Sequence, residues 1–394
     1  MFRLGWTLFR ETGKRPLWKF VWNFGVKGFL GVRRFEKRLK RGEYFPAFLF
    51  ISVTDQCNLR CQGCWVTPCR PARAIPLDTL RGLVATCRDR GVHFFGILGG
   101  EPLLYAGLVE LFKEFPDCYF QLFTNGLLLD ETVAAALREA GNVTPLISIE
   151  GDEEVGDQRR GGDDVTRRGL EAVRICNKAG LVTGVATSVC QSNIDTLATE
   201  DFLQRARETG AHYLWYYIYR PVGPRPCPEL ALTRDQILAL RRFIVDQRTK
   251  APLLIVDSYW DHLGRAMCPA VLGLAPHVGP GGDVEPCPPI QFSDRNVNDG
   301  DYADVLTTSA FLNRFREGIP DVTRGCVLMD DPAALEKLIT DDVTDSTGRG
   351  TGRDELSRLT VCPSHHCPGE EIPEKSFWFR FVKKHWFFGF GAYG

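Results

Sequence analysis

From residue 47 onward, short runs of apolar and β-branched residues alternate with longer stretches in which apolar positions recur every three or four residues. The first pattern marks strands buried on both faces, and the second marks helices that cover them. Strands are predicted at Phe48 to Thr54, His93 to Gly99, Tyr119 to Asn125, Pro145 to Glu150, Thr183 to Val189 and Tyr213 to Arg220. Helices are predicted near 77–90, 105–114, 130–140, 165–179, 195–209 and 233–248, with Asp130, Asp195 and Thr233 as N-caps. Six such units in succession wind a parallel sheet. The predicted class is α/β, an open three-quarter (β/α)6 TIM-like barrel with a smaller C-terminal module, because the rhythm stops after residue 250. The segments are 1–45, 46–250 for the barrel, 251–370 for the module and 371–394 for a tail. The acidic stretch Gly151 to Asp164 and the Asp, Thr and Gly-rich stretch Asp341 to Asp354 read as solvated loops.

The two ends have a different pattern. Leu17, Val21, Phe24, Gly28, Val32, Phe35 and Leu39 share one helical face, widened by Trp18, Trp22 and Phe29, with Lys19, Lys27, Arg34, Lys37 and Arg41 opposite. Phe377 to Phe381 and Trp386-Phe387-Phe388 repeat that composition at the tail. Either the ends pack on the barrel and on each other, or they lie in a membrane interface, in which case a lipid or polyprenoid becomes a candidate substrate. Charge sharpens the contrast. The whole chain carries a net −1, which offers no case for nucleic acid, yet residues 1–41 hold twelve Lys or Arg against two Glu and residues 374–394 hold four against one. A basic start without an apolar core and cleavage site is not a secretory signal, and no apolar run is long enough to span a bilayer. Fourteen cysteines therefore point to a reducing, cytoplasmic setting, with peripheral contact at the inner membrane face as the added expectation.

The barrel frame places five polar motifs at the carboxyl ends of strands, where barrel enzymes build their sites. The first holds Cys57, Cys61 and Cys64 in a C-x3-C-x2-C spacing. Three thiolates are one fewer than a four-iron cube takes, which leaves one iron open to another ligand. A zinc knuckle completed by Cys69 is the alternative from the same residues. The stretch TDQCNLRCQGCW from Thr54 resembles the cluster loop of the radical S-adenosylmethionine (radical SAM) superfamily, and Gly99-Gly100-Glu101-Pro102 resembles its GGEP element. The resemblance implies a 4Fe–4S cluster held by the three cysteines, SAM on the open iron, and a 5′-deoxyadenosyl radical that takes hydrogen from an organic substrate. It further implies that Gly99, Gly100, Glu101 and Pro102 contact the SAM amino group, with Asn125, Ser148, Glu150, Ser188 and Asn193 as further SAM contacts. An external reductant such as flavodoxin or ferredoxin is implied as well. In many members the residue before the third cysteine is aromatic, whereas here it is Gly63, and the aromatic is Trp65.

Cysteines reappear after residue 250 at Cys268, Cys287, Cys326, Cys362 and Cys367. Gly282 to Cys287, preceded by Cys268, resembles the opening of the SPASM and twitch extensions of the same superfamily, which hold auxiliary clusters. Four thiolates drawn from these five suit one auxiliary 4Fe–4S cluster, with Cys362 and Cys367 left as alternatives. Structural zinc is the rival, since Cys362 to Cys367 also contains histidines. Cys69, Cys87, Cys118, Cys176, Cys190 and Cys227 read as ordinary small core residues. The expected activity is maturation of a peptide or protein by a radical SAM enzyme, with a lipid substrate second. A zinc-binding or electron-transfer protein is the rival from other classes. Tyr216, Tyr217, Tyr219 and Arg220 are candidates for the substrate pocket.

Overall fold

The computed structural model describes residues 2–385, so Trp386-Phe387-Phe388 lies outside the described residues. Nine strands form one sheet: β1 Leu49–Ser52, β2 Phe94–Leu98, β3 Tyr119–Thr124, β4 Val143–Ser148, β5 Gly184–Val189, β6 Tyr213–Ile218, β7 Leu254–Val256, β8 His277–Val278 and β9 Val284–Glu285. Their order is β7-β6-β5-β4-β3-β2-β1-β8-β9. Strands β1 to β7 run parallel in sequence order, β8 pairs parallel with β1, and β9 turns back antiparallel on β8. Because β7 and β9 end the sheet without pairing, the barrel stays open. All six predicted strands form. The other three escaped prediction because two or three residues are too few to show a period.

Helices Leu77–Asp89, Leu108–Glu114, Glu131–Ala140, Val165–Lys178, Glu200–Thr209 and Arg234–Gln247 cover the sheet. Asp130 accepts from Val133 N at 2.8 Å, and Thr233 forms a reciprocal capping box with Gln236. The expected cap at Asp195 is corrected. The region breaks into Ile194–Leu197 and Glu200–Thr209, and extended Thr199 caps the second piece through Phe202 N. The stretch read as a solvated loop at 151–164 contains helix Glu153–Arg160, capped by Asp152 onto Val155 N at 3.0 Å. With Val155 as its one large apolar residue, that helix gave no hydrophobic period to detect.

The N-terminal helices Phe2–Glu11, Lys14–Lys19, Phe20–Lys27 and Gly28–Leu39 cross beneath the barrel, at the amino ends of its strands. Phe24 packs at 5.2 Å from Phe94 and 5.8 Å from Tyr119, and Asn23 Nδ2 donates to Pro116 O and Cys118 O at 3.0 Å each. One face of the segment is thus core. The C-terminal helix Phe377–His385 is tied in by Lys383, whose Nζ donates to Trp260 O at 2.6 Å and to Asp257 at 2.9 Å. Arg241, Arg248 and Glu374 complete this buried ion cluster. A second apolar core, around Phe311, Phe315, Val327 and Leu335, belongs to the C-terminal module.

His212 lies in the same floor, with Thr183 N donating to its Nδ1 at 3.1 Å. Burial holds its pKa down near 4, although Glu11 pulls the other way. The unfolded chain therefore binds a proton near pH 6.5 that the folded chain refuses, so stability falls as pH drops from 6.5 toward 4. At pH 5 the cost is about 2 kcal/mol. Denaturation midpoints measured from pH 7 to 5 should drop accordingly, and His212→Gln should flatten that slope.

Candidate active site

Three loops at the carboxyl ends of β1, β2 and β3 build the first half of the site. Gly100 N donates to Thr54 O and Glu101 N donates to Gln56 O, both at 2.8 Å, so the 99–101 turn lies flat on the cysteine loop. A Cβ on Gly100 would sit 2.3 Å from Gln56 O, and one on Gly99 would sit 2.6 Å from Thr54 O. Only glycine permits that approach. The Glu101 carboxylate is fully buried and turned inward, accepting from Thr124 Oγ1 at 2.8 Å, Asn125 N at 2.8 Å and Leu103 N at 3.1 Å. Burial raises its pKa, and these three donors oppose the rise. It stitches three loops together while Gly99, Gly100 and Asn125 face the cavity. Pro102 is buried behind it.

That cavity, of about 380 Å³, is bordered by Cys57, Cys61, Cys64, Gly99, Gly100 and Asn125. A second cavity of about 390 Å³ adjoins it, sharing Cys61, Cys64, Trp65, Ser148 and Arg160, and extends to Cys268, Cys287 and Cys326. Glu150 and Ser188 line the second cavity. Glu150 Oε2 accepts from Ser188 N and Oε1 from Arg160 Nη2, both at 2.7 Å. Asn193 lines neither. Its Nδ2 donates to Glu150 O at 3.0 Å and Ser188 O at 3.1 Å, so it braces those residues from behind.

Arg160 was missed by the sequence reading. It closes the small helix Glu153–Arg160, and its Nη1 lies 3.8 Å from Cys61 Sγ. Burial works against its charge, yet Glu150 and the neighbouring thiols hold its pKa above the ordinary value. Its Nε is buried without a hydrogen-bond partner among the described residues. The available signal was the pair Arg159-Arg160 before Gly161-Gly162, two cations inside an acidic stretch.

Burial raises the Cys57 thiol and pushes Cys64 up to about 12. Thiols buried this way ionise only when a cation compensates them, which fits a metal-binding role. Among the described residues no three His, Cys, Asp or Glu side chains converge closely enough to hold one metal ion. Cys69 does not join the triplet, because its Sγ donates to Thr347 O at 3.4 Å.

Gly63 has φ +64°, and a Cβ there would fall 1.9 Å from the Tyr219 hydroxyl. No aromatic side chain fits at 63. Tyr219 and Trp65 bring rings to the chamber instead, Trp65 standing edge-on to His277 at 6.0 Å. His277 is itself fixed between Ser52 Oγ at 2.8 Å and Glu285 Oε2 at 2.6 Å. Tyr217, Tyr219 and Arg220 face the chamber, whereas Tyr216 is buried in the core and bonded to Leu197 O at 2.7 Å. The segment 341–354, read as a flexible loop, is a strap pinned over the cysteine loop. Arg73 donates to Ser346 O at 3.1 Å and Thr347 O at 2.8 Å, and Arg349 donates to Thr67 O at 3.3 Å.

Of the five late cysteines, Cys268, Cys287, Cys326 and Cys362 gather around the C-terminal core, and the first three open onto the chamber beside Arg220. Burial raises Cys268 and Cys287, and raises Cys362 to about 11. Cys367 stands apart, packed on the barrel core beside Arg234 and Glu370.

The open parallel barrel and the cysteine loop at its mouth define a radical SAM enzyme. Residues 51–203 match the family model of the Radical SAM superfamily, so this part of the chain is a radical SAM domain. Such a domain implies a 4Fe–4S cluster and SAM. The chain is 27% identical over 297 residues to the PqqA peptide cyclase of Gluconobacter oxydans, covering 71% of this chain and 82% of that one. It is 32% identical over 169 residues to the GTP 3′,8-cyclase of Peptoclostridium acidaminophilum, a match spanning 40% of this chain and half of that relative. In fold it resembles Streptococcus suis SuiB bound to the precursor peptide SuiA, with TM-score 0.61 and 18% identity over 72% of this chain and 70% of that one.

Proposed function

We propose that this enzyme modifies a peptide or protein substrate by hydrogen abstraction within the chamber that joins the two cysteine groups. The observation that carries the reading is continuity: one cavity of about 390 Å³ runs from Cys61 and Cys64 to Cys268, Cys287 and Cys326, lined by Phe123, Trp215 and Tyr217 and closed by arginines. Likeness to a peptide cyclase and to a peptide-bound fold relative supports the same substrate class. Cys57, Cys61 and Cys64 would hold the cluster, and Gly99, Gly100, Asn125, Ser148 and Glu150 would border SAM. When bound, that pair supplies a 5′-deoxyadenosyl radical after one-electron reduction by a donor of the flavodoxin or ferredoxin kind. The chain's own part is to orient and seal. Glu101 and Asn193 brace the loops, Arg160 holds a cation between Glu150 and Cys61, and the strap from Asp341 to Asp354 covers the stretch to which Arg73 and Arg349 pin it. A lipid or polyprenoid as the reacting substrate is less favoured, because the most apolar cavity lies at the other end of the barrel.

The test is anaerobic incubation of the reconstituted enzyme with SAM, a strong reductant and peptides encoded beside its gene, read by mass spectrometry. A mass change in a peptide together with 5′-deoxyadenosine supports the reading. SAM cleavage with every such peptide unaltered, and a carbohydrate or nucleotide altered instead, overturns it.

Cys268, Cys287, Cys326 and Cys362 would hold one auxiliary 4Fe–4S cluster; the packing of Cys362 on the C-terminal core, where Cys367 packs on the barrel core, supports Cys362 as the fourth ligand. Cys362→Ser is expected to lower iron content by about half, since it removes one of four ligands from one of two cubes. Cys367→Ser should leave iron unchanged. Iron and sulfide analysis of the two variants decides the assignment.

A further inference from the structure

The packing of the two ends leaves an apolar surface unexplained. The N-terminal segment turns Phe20, Asn23, Phe24, Val32 and Phe35 into the barrel, but a second row of apolar residues faces outward along its opposite side. Trp18, Val21, Trp22 and Leu30 form that row, with Trp18 61% exposed and stacked on Trp22 at 5.7 Å. From the far end of the chain, Phe377, Trp378 and Phe381 are 64%, 50% and 46% exposed. The two sets meet. Val21, Val26, Phe29, Trp378, Phe381 and Val382 border one cavity of about 510 Å³, which reaches inward to Tyr213 and Leu254 at the amino ends of β6 and β7. It therefore opens on the floor of the barrel, opposite the cysteine mouth.

Charge says what fits there. Residues 1–41 hold twelve Lys or Arg and two Glu, and both acids are already paired, Glu11 with Arg207 and Glu36 with Arg33. Arg10, Lys14, Arg15, Arg380 and Lys384 are exposed on the same two segments. Asp117 and Glu139 reach this side beside Lys27 and Arg15, but the cations outnumber them. Tryptophans flanked by such an excess of cations match the headgroup level of an anionic bilayer. Among the described residues no helix is long and apolar enough to cross one.

We infer that this surface docks the enzyme on an anionic phospholipid membrane, with the aromatic row at the headgroup level and a hydrocarbon chain entering the floor cavity. The cysteine mouth then faces away from the bilayer. The inference stands independently of the substrate, because it uses no residue of the chamber.

Flotation of the full-length, reconstituted enzyme with phosphatidylcholine vesicles, with and without phosphatidylglycerol, tests it. The protein should float with the anionic vesicles at about 0.01 M salt and come off near 1 M, where the screening length falls from about 30 Å to about 3 Å. Trp18→Ser/Trp22→Ser alters two exposed side chains, so circular dichroism and iron content should be unchanged while vesicle affinity falls about tenfold or more. Phosphatidylglycerol brominated along its acyl chains should quench tryptophan fluorescence in the parent chain and less so in Trp378→Phe. Protein left in the low-salt supernatant, or unaffected by the tryptophan changes, overturns the inference. So does a lipid-free dimer that the same double variant dissociates, which would make the row a contact between two copies.

Discussion

Cys61→Ala, purified without oxygen, is expected to lose the iron and sulfide bound at the barrel mouth and to release no 5′-deoxyadenosine from SAM above background. The three thiols of this loop are half-buried, and burial raises Cys57 and carries Cys64 to about 12, so at neutral pH these last two are protonated before metal arrives. Loading must then displace protons, and it should weaken as pH falls. With one thiol gone, two remain to grip a cube that already has a vacant corner, and neither side chain beside them can substitute. Arg160 is a cation, and Cys69 is engaged with Thr347 O. Cys69→Ala is the matched control, since it removes a neighbouring thiol of the same loop region and should retain both iron and SAM cleavage. Iron, sulfide and nucleoside analysis of the two variants separates the outcomes. Retained cleavage in Cys61→Ala would remove the triplet from the active site, and lost iron in Cys69→Ala would restore the four-thiol reading.

The contrast between what the sequence disclosed and what it hid follows the range of the forces involved. The six long strands and their helices were legible because burial imposes a period over many residues, and Asp130 and Thr233 were legible because a cap acts within three. The cysteine loop and the glycine turn were legible because their spacing is local. Everything that depended on a partner distant in sequence was not. Arg160 gains its meaning from Glu150 and Cys61, and Gly63 from Tyr219, 156 positions on. The strap looked mobile because Asp, Thr and Gly mark loops, yet Arg73 and Arg349 fasten it across more than 270 positions of chain. The choice between Cys362 and Cys367 was likewise closed to local reasoning, since the two stand five residues apart in one short irregular stretch and only packing tells which core each one meets.

Arg160→Leu carries the second large effect, and here the expected loss is in stability as well as in the cofactor. Glu150 is only 6% exposed, and Arg160 is its single cationic partner among the described residues. Removing that partner leaves a carboxylate buried and uncompensated, a change that costs about 3–5 kcal/mol in comparable pairs. Arg160→Lys keeps the charge but cannot reach both Glu150 and Cys61 with one ammonium, so an intermediate loss is expected. Glu150→Leu/Arg160→Leu should recover part of the stability, because no orphaned charge remains. Urea denaturation of the three variants under anaerobic conditions measures the ordering. The double variant is informative in a second way. If Arg160 serves only to neutralise Glu150, the double variant regains stability and its cluster keeps the parent's midpoint potential, whatever the loss of Glu150 does to SAM binding. If its guanidinium also steadies the thiolates of Cys61 and Cys64, the double variant folds but its cluster becomes harder to reduce, because a positive charge beside the metal site has been lost. A midpoint potential shifted downward in the double variant, with iron content unchanged, is the expected result. An unshifted potential would confine Arg160 to holding Glu150 in place.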